Sequence, residues 1–203
     1  MREAPIYILI DSSTYLVGEP ICLIKKELSE LITKLRTDPL AIETMKLAFL
    51  TFGNEPKIVK PLTYLTEISL EFLNLIEFHG QRNLRDTFAI LEEDIVNNLK
   101  PRKAWERDFD YRPFILVFIK GESSDWNENA LSLLSTLSLF KKPEKDPDSC
   151  WDDDCRKELK EEAKESLCFC AFNEKVISMY SNIGDCNAVI GQDDIYSIKK
   201  HYF

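Results

Sequence analysis

The sequence predicts a doubly wound α/β domain, with a mostly parallel sheet and helices on both faces. Two observations predict it. Continuous apolar runs, of the kind that strands buried on both faces require, recur at PIYILID (5–11), MKLAFLTFG (45–53) and RPFILVFIKG (112–121). Between them lie segments whose apolar residues recur three, four and seven apart, the period of a helix packed by one face. Strand and helix alternating along the chain imply crossover connections between parallel strands.

Taken in order, residues 5–11 form the first strand. The segment GEPICLIKKELSELITKLRTDP follows, with Ile21, Ile24, Leu28, Leu31, Ile32 and Leu35 on one helical face. Pro20 stands near its start and Pro39 after its end, as helix punctuation requires. Residues 45–53 are the second strand. PKIVKPL reads as a short edge strand, because its prolines cannot donate to a central ladder. TEISLEFLNLIEF is open between loop and short helix. NLRDTFAILEEDIVNNLK is a helix with Leu84, Phe88, Leu91, Ile95 and Leu99 on one face. Residues 112–121 are the strongest central-strand candidate. A helix over NENALSLLSTLSLF, a charged helix over RKELKEEAKES, strands at LCFCAFN (167–173) and CNAVIG, a short helix over EKVISMYSNI and a closing helix over DDIYSIKKHYF complete the order.

The 203 residues fit a single domain, 1–203, with a charged, proline-interrupted insertion at about 141–165. At 44% hydrophobic and 30% charged, the chain has enough apolar matter for a full core without staples. A net charge of -9 repels phosphate backbones and anionic lipid. The expectation is therefore a protein partner, with no nucleic acid and no membrane. The first apolar run stops at an acid with no small-residue cleavage site after it, and no run reaches the roughly 20 residues of a membrane span. These readings place the chain in the cytoplasm, where Cys22, Cys150, Cys155, Cys168, Cys170 and Cys186 are expected to be reduced thiols.

The stretch YILIDSSTYLVGEPI (7–21) carries the chemistry: a buried strand ends in Asp11, then Ser12, Ser13, Thr14 and Tyr15 follow. Together with FLTFG, KPLTYL and VFIKGESSDW, it resembles the von Willebrand factor A family, and within it the bacterial TerY type of tellurium-resistance and stress gene clusters. The order of elements agrees over nearly the whole chain. The resemblance implies a Rossmann-like fold and a protein-binding face built from three loops. In that family the loops hold magnesium or manganese through Asp-x-Ser-x-Ser, a threonine in a Gly-Gly-Thr turn, and an aspartate after a buried strand. Such ions want oxygen ligands in octahedral geometry.

In this chain Asp11 and Ser13 match that pattern, and Tyr15 stands at the second serine. HGQRNL aligns Arg82 with the threonine, and FIKGES aligns Lys120 with the aspartate. A phenol does not fit about 2.1 Å from a small octahedral ion without moving its loop. Two positions that should offer oxygen offer cations, and two like charges at 4 Å repel by about 4 kcal/mol at an effective dielectric of 20. The metal site is thus expected to be lost. Asp11 would be a costly unpaired charge, which leaves two arrangements open. Arg82 or Lys120 supplies the missing charge as a salt bridge, or both point to solvent while Asp11 caps the first helix.

Other features carry less. Cys150 and Cys155 flank Trp151 and three aspartates, and Cys168 and Cys170 share a strand face. Zinc, a Cys150–Cys155 redox pair and plain core thiols are all compatible with that pattern, the last being the ordinary fate of strand cysteines. His79 precedes Gly80 beside the second site loop; His201 lies near the end of the chain. No nucleophile–base pairing and no phosphate loop is visible, so an enzyme is not expected. The reading is a non-catalytic protein-interaction module without a cofactor, in tellurite resistance, stress response or phage defence. Its binding face is Asp11, Ser13, Tyr15, Arg82, Lys120 and Asp125, joined by Ser12, Thr14, His79, Gln81 and Glu122. The alternative is a magnesium- or manganese-dependent domain using Asp11 and Ser13, with Glu122 or Asp125 as substitute ligands. A third is a small enzyme in which Asp11, Lys120 and His79 converge.

Overall fold

A strand that is apolar at every position must be covered on both faces, and that demand organises the molecule. The computed structural model describes residues 3–99, 113–121, 167–171 and 186–189. Strand β1, Ala4–Asp11, is buried at all eight positions. It pairs in parallel with β2 (Met45–Phe52) on one side and β4 (Phe114–Ile119) on the other. Strands β5 (Leu167–Ala171) and β6 (Cys186–Val189) continue the parallel ladder beyond β4. Strand β3, Lys57–Tyr64, pairs antiparallel with β2, so the order is β3-β2-β1-β4-β5-β6. Pro61 lies on this edge strand, where its missing N–H costs no central hydrogen bond. The predicted fold class and six strands are all present.

Successive β1 residues point to opposite faces, and each face has its own core. Ile6, Ile8 and Ile10 pack with Leu47, Phe49, Leu116 and Phe118 on one side. Helix α1, Glu19–Leu35, covers that side with Ile21, Ile24, Leu28, Leu31, Ile32 and Leu35, the six residues that its periodicity singles out. Tyr7 and Leu9 pack on the other side with Leu50, Phe52, Val117 and Ile119. Helix α3, Leu84–Asn98, covers it with Leu84, Phe88, Leu91 and Ile95. Each fully buried side chain of this size stabilises the fold by about 1.5–3 kcal/mol. Leu99 falls just past the last turn of α3, at its C-cap, and is half-buried.

One local structure differs from the sequence reading, and another resolves a stretch that the reading left open. Pro39 does not merely end α1: it opens a further short helix, α2 (Pro39–Thr44). Asp38 caps that helix by accepting from the Leu40 and Ala41 amides, and proline is favoured in a first turn because it needs no amide partner there. The ambiguous TEISLEFLNLIEF stretch resolves into 3₁₀ turns, at Leu65–Glu67 and Glu71–Leu75. Arg36, at the end of α1, secures the first by donating to the Leu65 and Ile68 carbonyls at 2.6–3.2 Å. The helices expected over residues 127–140, 156–166, 174–183 and 193–203, and the charged insertion, lie outside the described residues. Among the described residues no helix is long and apolar enough to cross a membrane.

Within the α3-side core, Tyr7 is fully buried and donates its phenol to Asp94 Oδ2 at 2.8 Å. Burial, and then the hydrogen bond and charge of Asp94, push the Tyr7 phenol well above its usual value near 10. A raised acid keeps its proton in the folded state and loses it in the unfolded chain. Its contribution is therefore complete below pH 10 and declines as pH rises above that, by about 1.4 kcal/mol per unit. Tyr7→Phe should show a shallower loss of unfolding free energy between pH 10 and 11 than the parent; equal slopes in urea titrations would refute this. Asp94→Leu should cost about 1–3 kcal/mol at pH 7, because it strands the buried phenol.

Candidate functional site

The chain leaves the sheet from β1 toward β2 on one side and arrives at β4 on the other. This reversal opens a crevice beyond the carboxyl ends of the strands, where ligands of such folds bind. Asp11 closes β1 at this crevice, while Lys120 and Gly121 follow β4. Three loops are drawn together there by backbone hydrogen bonds. Ser12 N donates to Phe52 O and His79 N donates to Ser12 O, both at 3.0 Å. Two glycines allow the approach. A Cβ on Gly53 would fall 2.5 Å from Ser12 Oγ. Gly80 adopts φ +72°, and a Cβ there would fall 2.7 Å from Asn54 Cβ.

The second loop runs directly into α3. Asn83 caps that helix by accepting from the Asp86 amide at 3.1 Å, and this fixes the position of Arg82 just before it. Arg82 then reaches inward. Its Nε donates to Asp11 Oδ2 at 2.6 Å, and the pair is 8% and 0% exposed at the side chains. The other carboxylate oxygen, Oδ1, accepts from the Ser13 amide at 2.8 Å. The guanidinium lies close to Gly121, at which a Cβ would fall 3.3 Å from Nη2. Arg82 therefore links the ends of β1, α3 and β4.

Tyr15 lies in a single 3₁₀ turn, Thr14–Leu16, in which Leu16 is buried and Tyr15 is turned out to 63% exposure. Arg82 Cζ lies 4.7 Å from the centroid of the Tyr15 ring, within cation–π range. The phenol thus stands over the guanidinium, facing solvent.

Of the two arrangements open from sequence, the salt bridge is present, and Arg82 makes it. Lys120 is half-buried and forms no ion pair with Asp11. The capping arrangement is corrected: Gly18, at φ +91°, is the N-cap of α1, and Asp11 turns back onto Ser13. Ser12 and Ser13 are buried, while Thr14, His79 and Gln81 are exposed around the crevice. Asp125, Glu122, His201, Cys150 and Cys155 lie outside the described residues. Cys170 is a buried core thiol. Among the described residues no group of three or more His, Cys, Asp or Glu side chains is placed to hold a metal ion.

Among the described residues, the groups that the resemblance assigns to a divalent ion are otherwise engaged as they stand. One oxygen of Asp11 is taken by a guanidinium, the other by an amide, and Tyr15 points away. One feature runs the other way: Ser13 Oγ is buried without a hydrogen-bond partner.

Removing one member of a buried ion pair leaves the other uncompensated, at a cost of about 3–5 kcal/mol. Arg82→Met should lower stability by that amount. Adding Asp11→Asn should recover a large part of it, since the orphaned charge is then gone. A double variant as unstable as the sum of its single changes, in urea melts, would show that the two residues do not act as a pair.

A sequence model of the von Willebrand factor type A domain matches residues 6–140. No protein among curated sequences matches the chain. Among solved structures, the VWA domain of SpRpn10 is similar over 98% of this chain and 95% of its own, at 13% identity and a TM-score of 0.55. The ArnB paralog VWA2 of Sulfolobus acidocaldarius is similar at 13% identity and a TM-score of 0.56, over 98% of this chain and 44% of its own. Proximal thread matrix protein 1 of the mussel byssus is similar at 12% identity and a TM-score of 0.56, over 98% and 47%. This chain therefore spans less than half the length of the last two. At such identities the likeness concerns the fold, and the fold and the sequence model agree. The chain belongs to the von Willebrand factor type A domain family.

Proposed function

We propose that this chain is a non-catalytic, protein-binding VWA domain of the TerY type, whose contact face works without a metal ion. The observation that carries the reading is the buried Arg82–Asp11 pair at 2.6 Å. A guanidinium fixed on the carboxylate supplies positive charge where the family's divalent ion would otherwise stand. It also leaves Tyr15 exposed above it, and Tyr and Arg are the side chains enriched at binding hot spots. Ser12, Ser13, Thr14, His79, Gln81 and Lys120 surround this centre, and Glu122 and Asp125 come next along the sequence. The net charge of -9 favours a protein partner over nucleic acid or an anionic membrane. The biological setting, tellurite resistance, stress response or phage defence in a bacterial cytoplasm, rests on the sequence resemblance alone.

A second reading, a magnesium- or manganese-dependent domain using Asp11, Ser13 and a ligand from the third loop, is favoured by the unpartnered Ser13 hydroxyl. Metal titration separates the two. An ion that binds only the folded state raises the melting temperature by mass action. The parent protein should melt at the same temperature in chelator and in millimolar manganese. Arg82→Ala, which frees the Asp11 carboxylate beside Ser13, should gain a manganese-dependent rise. A rise in the parent itself would overturn the metal-free reading in favour of the second. Binding of a native partner should persist in chelator and fall at least tenfold with Tyr15→Ala; loss of binding in chelator would equally contradict the proposal.

A further inference from the structure

Strand β1 and helix α3 are joined by polar side chains at two levels. At the crevice, Asp11 Oδ2 accepts from Arg82 Nε, just ahead of the helix, at 2.6 Å. Lower down, Tyr7 of the same strand donates its phenol to Asp94 Oδ2 at 2.8 Å. Tyr7 stands about 13 Å along β1 from Asp11. Asp94 is itself held, because Asn98, one turn on, donates to its carbonyl at 2.9 Å and to its Oδ1 at 3.0 Å. Both carboxylate oxygens thus have a donor, as those of Asp11 do.

Between these levels α3 covers the sheet with Leu84, Phe88, Leu91 and Ile95, spaced four, three and four residues apart. A slip of one helical turn, about 5.4 Å along the axis, would bring each to roughly the place of the next. Every such place would still hold a large apolar side chain. Apolar burial is non-directional and follows area, so it separates these registers weakly. A hydrogen bond separates them sharply, since its heavy atoms must stay within about 3.2 Å. Fixing register is the best-attested use of polar groups set into an apolar interface. Of the two contacts, Tyr7–Asp94 is the stiffer. The Tyr7 ring is fully buried and the aspartate side chain is short. Arg82 reaches Asp11 through a long side chain that loses much rotamer freedom when ordered.

We propose that Tyr7 and Asp94 are positioning residues of the contact face: their hydrogen bond sets the register of α3 on β1 and so brings Arg82 to Asp11. The purpose of that face rests on the reading proposed above, whereas the coupling between the two contacts is measurable without partner or metal.

The Arg82 Nε–H provides the readout. In the isotope-labelled full chain its resonance, assigned by its disappearance in Arg82→Met, reports the bond to Asp11 through its rate of exchange with solvent. Tyr7→Phe keeps the ring and removes the donor. It should speed this exchange by about tenfold through local opening, with the backbone amides of β1 and β2 unchanged. Asp94→Leu should do the same, while Asp94→Asn keeps an acceptor for the phenol and should exchange like the parent. Ile24→Val, which loosens the core on the other side of the sheet, controls for lost stability and should leave Arg82 unaffected. Unchanged Arg82 exchange in Tyr7→Phe would overturn the proposal, as would an Arg82 Nε–H already unprotected in the parent. So would Arg82 and strand amides speeding together, an equal effect of Ile24→Val, or Asp94→Asn exchanging as fast as Asp94→Leu. If Asp94→Leu does not fold, Tyr7→Phe and Asp94→Asn decide. A manganese-dependent rise in the parent's melting temperature would instead remove the metal-free reading and leave this coupling standing.

Discussion

A carboxylate buried at the end of a central strand must be neutralised, and the architecture of the crevice follows from how that is done. Asp11 has no exposure, and its oxygens are divided between the Arg82 guanidinium and the Ser13 amide. A buried ion pair of this kind adds little net stability compared with an apolar pair of the same shape, because both charges must first leave water. Its value lies in geometry. The guanidinium is planar, permanently charged and carries several donors, so it can hold one carboxylate while touching other loops. Here it meets the end of β1, stands at the head of α3, lies against Gly121 and supports the Tyr15 ring. A lysine in its place would offer charge without that fork or the stacking surface.

The sheet makes this arrangement possible by bringing distant residues to one level. β1 is flanked by β2 and β4, so the loops after all of these strands rise on the same side. Close backbone approach then depends on small residues at defined points: Gly53 against Ser12, and Gly80 against Asn54. The helix cap at Asn83 sets the direction from which Arg82 enters. Rigid elements thus place a loop residue that would otherwise lose considerable side-chain entropy on being ordered.

The main elements were legible in the sequence because their signals are strong and local. The apolar run 5–11 and the six buried positions of α1 state their burial directly. Pro61 marks β3 as an edge for the same kind of reason. Weaker signals misled or stayed open. Pro39 is compatible both with ending one helix and with opening the next, and the Asp38 cap decides between them. The 65–75 region lacks a clean period, and the carbonyls gripped by Arg36 hold it in 3₁₀ turns.

By itself the sequence determined the fold class, the faces of α1 and α3, and the buried acid after β1. Those properties depend on residue type and short-range spacing. It left open which cation meets Asp11, since Arg82 and Lys120 are equivalent in charge. The tertiary structure decided for Arg82, because its reach and its position beside the α3 cap carry it to the carboxylate, while Lys120 makes no ion pair there. It also decided that Tyr15 faces outward, through the burial of Leu16 in the same turn. Each of these is set by the register of distant segments, and register emerges only when the sheet has formed.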